Sequence, residues 1–117
     1  MTDARIVLRN LFGEGQDLNG LSWQPFRPGV DIVRIYGDGE SGPAAALLRY
    51  APGARLAPHV HVAYEHILVL AGSQRDERGE YAQGTCVIHG EGTGHAVASD
   101  EGCIVLAIWN APVQFTR

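Results

Sequence analysis

Glycine and proline divide this chain into short runs of β-branched and aliphatic residues with polar turns between them. "ARIVLRNLF" reads as a first strand and "GEGQDLNG" as the loop that follows it. "LSWQPF" and "VDIVRIYG" flank the turn signal "RPG", and "GDGESG" leads into "PAAALLRYAPG", whose apolar run would also pass locally for a helix. "GARLAPHVHVAYEHILVLAG" supplies two further strands, and "SQRDERGEYAQG" reads as a polar excursion. "TCVIHGEGTGH", "HAVAS", "GCIVLAIWN" and "VQFTR" complete the series. No segment sustains a 3.6-residue period over helical length. Many short strands separated by turn chemistry predict an all-β fold, an antiparallel sandwich or small barrel.

Within Gly53–Gly72 the alternation becomes chemically informative. His59 and His61 share one strand face while Val60 takes the other. In "EHILVLAG", Glu65, Ile67 and Val69 lie on one face and His66, Leu68 and Leu70 on the opposite one. If the chain reverses through "VAY", then His59, His61 and Glu65 converge on one interior. His66 is directed away from them, toward the outer surface or a subunit interface. Burying such groups in a small apolar fold is costly unless something satisfies them. Each could be hydrogen-bonded separately or sit on an exposed hairpin. A convergent pair of imidazoles with a carboxylate also suits Zn, Fe(II), Mn, Ni or Cu. His95, at the end of another glycine-punctuated strand, offers a fourth ligand.

Composition narrows the classes. The 117 residues fit one domain, and a hydrophobic fraction of 45% is that of a packed globular chain. The net charge is −4, and the nine Lys and Arg residues are scattered, which argues against a nucleic-acid surface. No apolar run approaches the roughly 20 residues of a membrane helix, and "MTDARIVLRNLF" lacks the features of a signal peptide. Cytoplasmic residence with no membrane partner is therefore expected. Cys86 and Cys103 have no metal-type spacing and read as small buried core residues. "GEGTG" lacks the Lys-Ser/Thr and helix of a phosphate loop, and no nucleophile elbow is present.

Two spacings then give a family resemblance. Gly53, five residues, His59, one residue, His61, three residues, Glu65, six residues and Gly72 resemble the first motif of the cupins. Gly84, five residues, Gly90, then Gly92, two residues and His95 resemble their second motif. Pro is usual in the family where Gly90 stands, and Asn where Ser99 stands. The short inter-motif segment with "DERGEY" is similar to the ChrR-type cupins, named for the C-terminal domain of zinc-dependent anti-sigma factors. That group also includes small oxygenases related to acetylacetone-cleaving enzymes. The resemblance covers Leu21 to Phe115. It implies a conical antiparallel barrel holding one divalent ion per chain, Zn or Fe(II) with Mn or Ni as alternatives. The implied ligands are His59, His61, Glu65 and His95, and Gly53, Gly72, Gly84 and Gly92 are the implied turn residues.

The resemblance implies a metal-dependent oxygenase acting on a small chelating oxygen compound such as a diketone or keto acid. The alternatives are a non-catalytic metal- or ligand-sensing cupin and a purely structural metal site. Ile67 and Val69 are expected to form an apolar pocket wall. Tyr64 beside Glu65 could meet a bound ligand, and Trp109 and Trp23 are pocket or core aromatics. Arg49 and Tyr50 are strand neighbours, so only one of them can face the interior. His89 could sit at the barrel mouth behind the ligands, but a solvated turn histidine is the favoured reading. Residues 1–20 are expected to form an N-terminal arm, with "RIVLRNLF" as an exchanged or interface strand of a homodimer, and residues 21–117 the barrel. A barrel beginning near Leu21 leaves no space for the helical module with which anti-sigma factors grip their partner, so sigma-factor binding is not expected.

Overall fold

The computed structural model describes residues 5–12 and 18–115. Among these, a short 3₁₀ turn at Leu18–Gly20 precedes ten strands: β1 (Gln24–Arg27), β2 (Val30–Tyr36), β3 (Ala44–Tyr50), β4 (Ala54–Val60), β5 (Glu65–Asp76), β6 (Gly79–Ala82), β7 (Cys86–His89), β8 (Gly94–Ser99), β9 (Cys103–Trp109) and β10 (Gln114–Phe115). The pairings are antiparallel and run β1-β2-β3-β9-β5-β8-β4-β10, with β6 and β7 also on β5. The sheet curls on itself as an all-β half-barrel, the cupin architecture.

The curl is made by β5, twelve residues long and shared by both walls. Its first part pairs with β9 on one side and β7 on the other. Ser73–Asp76 then pair with β6, and Arg75 reaches Ala98 of β8. A bulge between Val69 and Ala71 turns the strand between these duties. Gly72 follows at φ +72°, where a Cβ would collide with the Gly102 carbonyl, so only glycine lets the two backbones approach there.

Period-2 alternation sorts the apolar residues onto two faces. The inner core contains Val30, Ile32, Ala46, Leu48, Tyr50, Ile67, Val69, Val105 and Ala107. An outer cluster of Leu18, Leu47, Leu70 and Ile104 is joined by Trp23, Leu68 and Leu106 on the reverse of the same strands. Both faces of β3 are therefore covered. That explains why "PAAALLRY" is apolar throughout, like a buried helix, although it is a strand.

Three local expectations are corrected. Arg5–Phe12, within "ARIVLRNLF", form no strand, and Ile6, Val7, Leu8 and Phe12 are exposed. β-propensity becomes a strand only where an edge supplies ladder bonds, and among the described residues no strand pairs with the segment. "SQRDERGEYAQG" is no excursion: it is the end of β5, a tight turn and β6. Cys86 is exposed, on the outward side of β7, whereas Cys103 is buried and its thiol is pushed up to about 11 by that burial. Of "VQFTR", Gln114 and Phe115 form β10, and Thr116 and Arg117 lie outside the described residues.

Candidate metal centre

β4 carries the first histidine through a bulge. Leu56 pairs with Val97 and His59 with His95, so β4 spends one residue more than β8 between those pairs. Without it, Leu56 and His59 would face opposite sides; with it both are buried, while Ala57 and Pro58 are exposed. His61 lies just past the strand, fixed by its N–H to the Thr93 carbonyl (2.7 Å) and its carbonyl to the Gly92 N–H (2.8 Å). Glu65 opens β5 with Trp109 and His89 as its two cross-strand neighbours.

These elements bring His59, His61, Glu65 and His95 together. One ligand atom from each lies within 4.8 Å of all the others, and all four residues are buried. Their hydrogen bonds decide what the group can hold. His59 Nδ1 lies 3.0 Å from the Ala57 carbonyl, and His95 Nδ1 lies 3.0 Å from Asp76 Oδ2. His61 Nδ1 lies 3.0 Å from both the Thr93 carbonyl and its hydroxyl, whose proton goes to the Gly90 carbonyl at 2.6 Å. Every one of these partners is an acceptor, so each Nδ1 carries the proton and each neutral ring presents a bare Nε2 lone pair. Those lone pairs face one another. His59 Nε2 and His95 Nε2 are 2.9 Å apart, and His61 Nε2 is 2.9 Å from Glu65 Oε1. Acceptors aimed at acceptors in a buried site call for a shared positive centre, a proton or a metal ion. Three imidazole nitrogens and one carboxylate are the donor set of a divalent transition metal, so the residues fit the group that the resemblance implies.

The electrostatics agree. Burial pushes the Glu65 carboxyl up, but the adjacent His61 ring and the nearby His59 and His89 outweigh this and hold it below the ordinary value. Burial lowers His59, keeping the imidazole neutral. His89 corrects the favoured expectation of a solvated turn residue and matches the alternative of a place behind the ligands. It is buried, stacks on His61 with centroids 4.6 Å apart, and meets His95 edge-on at 4.3 Å. Burial lowers its pKa to about 4. Asp76, in "DERGEY", was also missed as a partner of the site. Alternation along "CVIH" carries the signal for His89, because it turns Val87 and His89 inward together. Asp76 has no such signal, because its role depends on which strand the turn lands against.

Beside the four residues lies a cavity of about 20 Å³, room for about one water, walled by Tyr50, Ile67, Trp109 and Phe115 among others. Phe26, Trp109, Val113 and Phe115 also wall an outer cavity of about 120 Å³. Between Arg49 and Tyr50, Tyr50 faces inward and is buried. Arg49 is excluded from the cavity: on the outer face it donates to Asp31 at 2.9 Å and lies 4.4 Å over the Trp23 ring. Val69 is fully buried in the core, and Tyr64 is exposed on the surface. His66 points away from the four, as alternation predicts.

A family model for the ChrR cupin-like domain matches residues 14–113. The chain belongs to the ChrR cupin-like family. Its curated relatives include the anti-sigma-E factor ChrR of Cereibacter sphaeroides, 33% identical over 104 residues that make up 86% of this chain and 47% of that protein. This ChrR-like cupin therefore spans about half the length of the curated relative it matches. Among solved structures, the Rhodobacter sphaeroides complex of SigE with the anti-sigma ChrR superposes with a TM-score of 0.70 at 29% identity, over 81% of this chain and 51% of that one. An acetylacetone dioxygenase from Acinetobacter johnsonii superposes with a TM-score of 0.77 over 100% of this chain and 81% of the other, at 14% identity, a likeness of fold.

Proposed function

We propose that this ChrR-like cupin binds one divalent metal ion through His59, His61, Glu65 and His95 and is a metal-dependent oxygenase of the Fe(II) type. Its substrate is a small chelating oxygen compound such as a diketone or keto acid. The observation that supports this reading is the convergence of three bare Nε2 lone pairs and a carboxylate beside an apolar cavity. Held by these four residues, a divalent ion would supply Lewis acidity toward a chelating oxygen substrate. The chain supplies the rest. Ile67, Trp109 and Phe115 keep water from the reacting atoms, and Tyr50, whose hydroxyl is hydrogen-bonded to Gln74 and held neutral by burial, closes the inner wall. Phe115 belongs to a two-residue strand on the sheet edge, which makes it the natural wall to yield when a substrate enters.

The protein purified without added metal, analysed for bound metals, then loaded anaerobically with Fe(II), should consume O₂ when given acetylacetone or a keto acid. Tightly held zinc with no uptake for any candidate would sink the oxygenase reading. It would favour a second one, a metal- or ligand-sensing cupin without turnover. That alternative has its own support in the four protein ligands and the 20 Å³ cavity, which leave little room for a substrate.

The same proposal places the protein in the cytoplasm; no helix among the described residues is long and apolar enough to cross a membrane. It takes residues 1–20 as an arm on the 21–117 barrel and the working form as a homodimer. Ile6, Val7 and Leu8 are exposed by 55%, 59% and 42%, an apolar stripe for a second copy to cover. Sigma-factor binding is no part of it. Solution scattering that shows a monomer at working concentration would remove the dimer.

A further inference from the structure

The turn of "DERGEY" fastens at three points to the strand that carries His95. Asp76 Oδ2 accepts from His95 Nδ1 at 3.0 Å. Glu77 Oε1 accepts from the Ala96 N–H at 2.7 Å, and the Arg78 guanidinium lies 3.4 Å from the Gly94 carbonyl. The three targets are consecutive: Gly94, His95, Ala96. Asp76 is itself held, because its Oδ1 accepts from the Tyr81 hydroxyl at 3.0 Å and from the Arg78 N–H at 2.9 Å. Both oxygens of the Asp76 carboxylate are thereby used, and its side chain is 2% exposed.

We infer that residues 76–81 are a positioning clamp for the metal centre: Asp76 fixes the His95 tautomer and ring angle, and Glu77 and Arg78 fix the strand beneath it. Asp76, His89 and His95 also form a second group close enough to hold an ion. The hydrogen bonds decide against a separate site. Asp76 has already spent Oδ2 on His95 Nδ1, and an ion there would have to displace that proton and cut the link that aims Nε2 at His59. A carboxylate behind a histidine ligand orients the ring and raises its basicity, and losing such a partner typically weakens metal binding by about 10–100-fold.

The inference rests on the metal reading above, and the test separates the two. Zinc is loaded at one equivalent or in excess, and stoichiometry, release to EDTA and apo-protein unfolding are measured for wild type and variants. Asp76→Asn cannot present two acceptors. It should keep one ion per chain, release zinc about 10–100-fold faster and leave the apo-protein melting cooperatively. Glu77→Ala should release zinc several-fold faster. Glu77→Gln, which keeps the acceptor for the Ala96 N–H, should restore the wild-type rate. Tyr81→Phe should fall between Asp76→Asn and wild type. ¹⁵N spectra of the apo-protein should show His95 protonated on Nδ1 in wild type and a tautomer mixture in Asp76→Asn.

A second ion per chain that Asp76→Asn abolishes would overturn the clamp. An unchanged release rate in Asp76→Asn would do so too, as would Glu77→Gln behaving like Glu77→Ala. Wild type that takes up no zinc would instead defeat the metal reading. The apo-protein spectra then decide alone: loss of the Nδ1 tautomer in Asp76→Asn upholds the clamp, and an unchanged tautomer refutes it.

Discussion

His66 and His89 lie on opposite faces of the β5–β7 ladder, one residue out of phase, and their surroundings differ in kind. On the inner side, His59, His61 and His95 each have Nδ1 tied to an acceptor and Nε2 turned toward the others, with His89 stacked behind. On the outer side, His66 keeps company with Leu68 and Leu70. Among the described residues its Nδ1 is the one buried side-chain polar atom with no hydrogen-bond partner. Two buried imidazole environments thus occur within one sheet thickness. A histidine becomes a candidate ligand when its distal nitrogen is held, and not simply because it is buried.

The largest effect should come from emptying the inner side. His59→Ala and His95→Ala should each bring metal content at pH 7 close to zero, measured by elemental analysis after desalting, while His66→Ala keeps the wild-type content. Equal loss in all three would erase the contrast between the faces. Next come the two apolar layers. Val105→Ala in the inner core should cost about 1–3 kcal/mol, and Leu70→Ala in the outer cluster about 2–5 kcal/mol, by denaturant unfolding of the apo-protein. Leu70→Ala at under 1 kcal/mol would show the outer layer to be loosely packed.

The pH response should be gentler. His89 titrates near 4 when folded and near 6.5 when unfolded, so the unfolded chain takes up its proton first as pH falls. Apo-protein stability is then full above about 6.5 and declines toward about 4, and the depressed Glu65 and His59 act in the same direction. His89→Gln should flatten that decline in melting temperatures between pH 7 and 4.5; an unchanged slope would assign it to the other groups. The smallest effect belongs to His66. His66→Leu removes an unpartnered buried nitrogen, so the melting temperature should hold or rise slightly.

Much of this contrast is legible in the sequence, because alternation with a period of two is enforced by the pleat itself. It separates Glu65, Ile67 and Val69 from His66, Leu68 and Leu70, and the motif spacing adds His95. Legibility ends where placement depends on partners in space. Ile6, Val7 and Leu8 have strand-like residues but pair with no strand among the described residues. Arg49 and Tyr50 are indistinguishable until the β2–β3 register sets Arg49 against Asp31 on the outside. Asp76 and Glu77 look like turn residues in any hairpin, and only the approach of β8 gives them work.

The pairing of His59 with His95 has a kinetic side. The two are directly opposed in the β4–β8 ladder yet stand 36 residues apart along the chain, with all of β5, β6 and β7 between them. Closing so long a loop is entropically slow, and the contact exists only after the intervening hairpins have formed. An ion bridging these residues and Glu65 would act as a staple across the last seam to close. It would then slow the opening of that seam far more than it speeds folding, so that the metal-bound chain gains its persistence chiefly from a reluctance to unfold.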